Sequence, residues 1–305
     1  MTEWVVEVNN LSRQFGQTLA LDKVAFQAGR GKVYGLVGAN GAGKTTLIKH
    51  LLGLLRAKSG SVAVFGQDPV KNPASVLKRI GYLSEERDLP DWMSIEELMR
   101  YSNAYHSNWD SAFASELLST FALDSRQRVK DLSRGMRAQV ALVVAVAHRP
   151  DLLILDEPSS GLDALVRKDI LNAVVRTISE EGRTVIFSSH LLEEVERLSD
   201  HVVMIQQGRI TLDASLETLA NSHHHSSIQF EHSLDSTPAL LQALSLSGAG
   251  RSWNAVHDIS PDQFAAAVSS LGGVITESRS ATLEEIFVAK VGRVKGMING
   301  KSRAA

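Results

Sequence analysis

Apolar and polar positions over the first two thirds of the chain alternate between two periods. "WVVEVNNLS", "LALDKVAFQA" and "SGSVAVFG" gather β-formers between turn residues and predict strands. "KVYGLVG" predicts a short apolar strand, and "KTTLIKHLLGLL" places Leu47, His50, Leu51 and Leu54 on one helical face. "DLLILD" and "RTVIFSSH" are nearly continuous apolar runs, the pattern of parallel strands covered on both faces. The fold class predicted for this part is α/β.

Between these runs, Asp91 to Lys130 turns to helix formers and aromatics: Trp92, Tyr101, Tyr105, Trp109, Phe113 and Phe121. Ser94 and Glu97 form a capping-box pattern ahead of "IEELMRYSNAY", so a helical insertion is predicted at about residues 88–135 of a first domain, 1–212. Beyond it, "SSIQFEH", "SWNAVHDIS" and "GVITESRS" read as strands, and "PALLQALSL", "PDQFAAAVSSLG" and "TLEEIFVAKVG" as helices. A small α+β module is expected over 213–292, entered through the polar segment "LANSHHHSS" and followed by a disordered basic tail, 293–305. The three histidines His223, His224 and His225 are consecutive in that polar segment and are expected in a solvated loop rather than around a metal.

Composition narrows the class. The 305 residues are 44% hydrophobic and 22% charged with net charge −2, so the balance does not call for nucleic acid or an anionic membrane surface. The chain has no cysteine, which excludes disulfides and thiolate metal sites and fits a reducing, cytoplasmic setting. The longest apolar run, "VALVVAVA", is too short to span a bilayer, so dealings with a membrane are expected to go through a partner.

Candidate chemistry starts at "GANGAGKTT", which matches G-x-x-x-x-G-K-[ST] between a strand and a helix. Gly38, Asn40, Gly41 and Gly43 would wrap backbone N–H groups around phosphate oxygens, and Lys44 would reach the β and γ oxygens of a bound nucleotide. Thr45, followed by Thr46 in the first turn, offers Mg²⁺ a hydroxyl. In "LLILDEP", Asp156 ends an apolar strand where it can hold Mg²⁺, and Glu157 can act as general base. Taken alone, two acids there also fit a strand end meeting solvent. His190, ending "VIFSSH", is either a satisfied polar residue or a γ-phosphate contact at the carboxyl end of a parallel strand.

The ordered set "GANGAGKTT", "LSRGM", "LLILDEPSSGLD" and "SSH" resembles the ATP-binding-cassette (ABC) ATPases from about Thr2 to Leu212. The resemblance implies a P-loop NTPase fold of the ABC type, cofactors ATP and Mg²⁺, and a head-to-tail dimer with a second ATPase subunit, a copy or a close paralogue. It makes Leu132–Met136 the signature motif, ordinarily L-S-G-G-Q, with Ser133 and Gly135 facing ATP held by the other subunit; Arg134 and Met136 depart from that pattern. Ser133 would also cap the apolar helix that follows it. The resemblance further gives Phe15 the adenine-stacking place, Glu85 the place of a metal-linking glutamine, and Ser160–Asp163 the loop that communicates across the dimer. The texture is similar to bacterial export-type subunits that serve a separate membrane permease, implying a cytoplasmic protein peripheral to the membrane. The alternative is a soluble member of the superfamily acting on ribosomes or nucleic acid; the single cassette and the absence of sustained heptads weigh against it.

Overall fold

The computed structural model describes residues 4–290, without the side chains of 176–181. It forms two compact units, one ending at Asp213 and one starting at Ala214.

The first unit opens with β1 (Trp4–Phe15) and β2 (Thr18–Gly29), continues through β3 (Val33–Val37) and α1 (Lys44–Leu51), and returns as β4 (Ser59–Val64). Strands β2, β1 and β4 make a three-stranded sheet in that order, antiparallel at both pairings. After the short α2 (Pro73–Leu77) comes β5 (Ile80–Leu83), then α3 (Ile95–Tyr105), α4 (Ser111–Thr120) and, past a 3₁₀ turn at Val129–Asp131, α5 (Arg134–Val146). The rest is β6 (Leu152–Leu155), α6 (Ala164–Glu181), β7 (Thr184–Ser189), α7 (Leu192–Leu198), β8 (His201–Gln206) and β9 (Arg209–Ser215). Six of these strands form one sheet in the order β5-β6-β7-β3-β8-β9, and the pairings from β5 to β8 are all parallel.

Local chemistry explains the helix starts. Ser94 accepts from the Glu97 N–H while the Glu97 carboxylate accepts from Ser94 N–H, so the capping box closes at α3. Asp110 caps α4 by accepting the Phe113 N–H, and Asp163 caps α6 by accepting the Leu165 and Val166 N–H groups. The two sheets and α1 close on one core that includes Val6, Leu21, Phe26, Leu47, Ile48, Ile154 and Ile186. Each such side chain contributes about 1.5–3 kcal/mol by leaving water. The sheet order makes β6, β7 and β3 neighbours, so the segments that follow these strands emerge side by side at their carboxyl ends.

The second unit contains α8 (Leu216–Ser222), β10 (His224–Leu234), β11 (Ala243–His257), α9 (Pro261–Ser269) and β12 (Gly273–Ser280), with residues 283–290 helical. Its sheet runs β11-β10-β12, antiparallel, and packs Ile228, Phe230, Trp253 and Ala255 against Phe264 and Val268 of α9. Two expectations are corrected here. "PALLQALSL" is not a helix: it is a turn that leads into β11. Leu244 and Leu246 alternate with Ser245 and Ser247, and that period of two outweighs the helix propensity of Ala and Leu. "LANSHHHSS" is not a solvated loop either. It ends α8 and begins β10, and His223 is buried. The tail 293–305, expected to be disordered, lies outside the described residues.

Candidate functional site

The loop after β3 is built around its glycines. A Cβ on Gly38 would stand 2.4 Å from the Ile205 carbonyl oxygen, and one on Gly43, at φ +116°, 2.6 Å from that of Ala20. A side chain at either position would displace backbone, so the loop closes only with glycine there. The hairpin turn between β8 and β9 backs it: Gly208 N–H donates to the Ala42 carbonyl at 2.9 Å. Helix α1 begins with Gly43 as its N-cap and no side-chain cap. Its first-turn N–H groups are therefore available to an anion, and the helix dipole favours one.

Lys44 is buried, and its Nζ donates to the Gly38 carbonyl at 2.6 Å. It lies 3.0 Å from Glu157 Oε1, a charge contact without hydrogen-bond alignment. Removing one member of a buried ion pair typically costs about 3–5 kcal/mol, because the other charge is left uncompensated. Glu157 follows β6 in the left-handed region, φ 49°. Its N–H donates to Ser188 Oγ at 2.8 Å, and its Oε2 meets His190 Nδ1 at 2.7 Å. Ser188 also donates to Asp156 Oδ1 at 2.7 Å, so one hydroxyl at the end of β7 orients both acids. Burial and the nearby Asp156 carboxylate push the Tyr82 phenol up to about 12.

A cavity of about 360 Å³ is lined by Ala20, residues 40–46, Glu85 and Glu157. The structure thus brings Asn40, Gly41, Gly43, Lys44, Thr45, Thr46, Glu85 and Glu157 around one cavity, with His190 bonded to Glu157 and Gly38 at the rear of the loop. Phe15 sits half exposed at the end of β1, beneath the Arg13 guanidinium at 4.6 Å, and is not part of that lining. Ser133 and Gly135 are not part of it either. Ser133 is exposed at the start of α5, its Oγ accepting the Met136 N–H at 3.2 Å. A Cβ on Gly135 would come within 3.1 Å of Val166 Cγ2 on α6, so helix packing alone calls for a small residue there. Arg134 lays its guanidinium over Gly161, with Cζ 2.4 Å from where a Cβ would stand.

The family model described as ABC transporter matches residues 21–160 of this chain. The ABC transporter ATP-binding protein NatA of Bacillus subtilis is 34% identical over 236 residues, 74% of this chain and 96% of that protein. YhaQ of the same organism, an uncharacterized ABC transporter ATP-binding protein, is 32% identical over 95% of this chain and 99% of its own length. This chain belongs to the ABC transporter ATP-binding proteins. It is an ATPase of that family. Among solved structures, an ATP-binding subunit of an ABC transporter is 29% identical with TM-score 0.65, covering 71% of this chain and 92% of its own. The dimeric ABC transporter cassette MJ0796, 20% identical with TM-score 0.62 over 69% of this chain and 98% of that one, shows the same fold. Among the described residues no helix is long and apolar enough to cross a membrane.

Three contributors escaped the sequence reading. Ala20 lines the cavity from β2, and no motif marks it. Ser188 stands in the "SSH" segment, but only the histidine carried a signal there. Arg87, in "SEER", belongs to no motif, yet it is 3% exposed.

Proposed function

We propose that this chain is the ATP-hydrolysing subunit of a transporter, working as a dimer beneath a separate membrane permease and driving export from the cytoplasmic side. One observation carries the hydrolytic part of this reading: Glu157 is held 3.0 Å from Lys44 and 2.7 Å from His190, beside a glycine-built phosphate loop. Phosphate oxygens of ATP bind the loop N–H groups and draw the Lys44 ammonium toward them. Glu157 Oε1 is then released to take a proton from the attacking water, while His190 keeps the carboxylate oriented through Oε2. Thr45, Asp156 and Glu85 offer only hard oxygen donors, which suits Mg²⁺. When bound, the ion would neutralise phosphate charge. Phe15, exposed at the end of β1, is available to stack on adenine.

The exposed start of α5 supports a role toward a second chain. Ser133, the N–H groups of the first turn and the helix dipole together make a surface anion site, completed by ATP on a partner subunit.

Glu157→Gln tests the base directly. ATP affinity should persist while turnover falls by about 10²–10⁴-fold. The ATP-loaded variant should run as a dimer in size exclusion. Mixing Ser133→Arg with Lys44→Ala should restore turnover above either parent, because one site of the heterodimer then has both halves intact. Wild-type turnover in Glu157→Gln would refute the assignment of the base.

A further inference from the structure

The turn that follows Glu157 is gripped from outside the motif. Arg87 lies four residues after β5, in a bend closed by its own N–H on Ser84, to the carbonyl at 3.2 Å and to Oγ at 3.0 Å. Its guanidinium crosses to the segment after β6, where Nη2 donates to the Ser160 carbonyl at 2.8 Å and the Pro158 carbonyl at 3.3 Å. Those two carbonyls belong to the turn that Ser160 N–H closes on the Glu157 carbonyl at 3.1 Å. Glu157 itself sits at φ 49°, a conformation that costs energy for a side chain of its size unless the surroundings hold it.

A buried guanidinium is an expensive brace. Burial, then the charge of Arg134, lower the Arg87 pKa, with Glu85 opposing, and its Nε makes no hydrogen bond. An apolar chain of similar volume would fill the space at less desolvation cost. What it would lack are the two donors, and these connect the bend that carries Glu85 to the turn that carries Glu157.

We propose that Arg87 is a positioning residue for the hydrolytic step: it fixes the Glu157 turn to the Glu85 bend, so that the carboxylate and the metal-side residue face the γ-phosphate in register. The inference rests on Glu157 acting as the general base. Arg87 touches neither nucleotide nor water in this role, and it acts through the two carbonyls it holds.

The test is steady-state ATPase kinetics and nucleotide binding on the full-length protein. Arg87→Met keeps the volume and removes the donors; Arg87→Lys keeps the charge with a single ammonium in place of the fork. Misplacing a catalytic group by about 1 Å is worth on the order of 10²-fold in rate. Arg87→Met should therefore lower kcat about 10²-fold and Arg87→Lys about 10-fold, the lysine giving partial rescue, with KM and ATP affinity within about twofold of wild type in both. Wild-type kcat in either variant, or a loss carried by KM, would overturn the proposal. If Arg87→Met does not fold, Arg87→Lys decides by the same criteria. Wild type and Glu157→Gln are run alongside. Full turnover in Glu157→Gln would instead remove the base assignment, and this inference with it.

Discussion

Helices α1 and α5 begin in opposite ways. Helix α1 starts from a left-handed glycine with no side-chain cap, inside a loop whose lysine is buried. Helix α5 starts from Ser133, which satisfies the Met136 N–H with its own hydroxyl and is exposed. The first end keeps its donors for a ligand and is walled by its own chain: Gly208 behind, Ala20 beside, Glu157 in front. The second keeps a dipole and a ready hydroxyl at the surface. Under the proposed function, the first is a phosphate site built by a single chain, and the second supplies half of one. The lesson is that a helix N-terminus takes its role from what caps it and what surrounds it, more than from the residues that begin it.

The sharpest way to break this contrast is at Lys44. A charge-assisted contact to phosphate is worth about 1.5–3 kcal/mol, so Lys44→Ala should weaken ATP binding by about 10- to 100-fold in a calorimetric titration. Urea unfolding of the same variant should show a loss of stability, because Glu157 then lacks its 3.0 Å cation. Unchanged affinity in a folded Lys44→Ala protein would mean that the α1 end is not the phosphate site.

A smaller effect sharpens the comparison at the far ends of the two helices. Each ends at a buried histidine: His50 within α1 and His148 just beyond α5. Burial lowers both, and His148, stacked on His106 at 3.9 Å, falls to about 4. The unfolded chain binds this proton near 6.5 and the folded one near 4. Stability is therefore lost as pH falls between those values and the His148 contribution levels off below, an effect on the order of 1–3 kcal/mol. Denaturant midpoints at pH 7 and pH 5 measure it. Replacing His148 with Gln should flatten the slope, and an unchanged slope would assign it to other groups.

The smallest expected effect lies at the surface end. Ser133→Ala removes a cap worth about 1 kcal/mol and should move the urea midpoint by a correspondingly small amount. ATP binding to the isolated protomer should be untouched. Loss of that binding would place α5 in its own chain's site and end the contrast.

The sequence by itself determined whatever depends on neighbours along the chain. The glycine spacing of residues 38–43 and the lysine after it, the capping box of Ser94 and Glu97, and the apolar runs of β6 and β7 act within one or two turns, so their patterns are readable. Tertiary structure decided the rest. Ser188 reaches Asp156 across 32 positions and Arg87 reaches Ser160 across 73, and neither has a periodicity that marks it. The turn and strand in place of a helix at "PALLQALSL" were decided likewise: Leu240, Leu241 and Leu244 fit one helical face while Leu244 and Leu246 fit one strand face, and pairing of β11 with β10 selects the second. Local patterns specify which groups a segment offers. Which of them meet, and which buried charge holds a turn in a conformation it would not adopt alone, follows from strand order, and strand order is settled only when distant apolar faces close on one core.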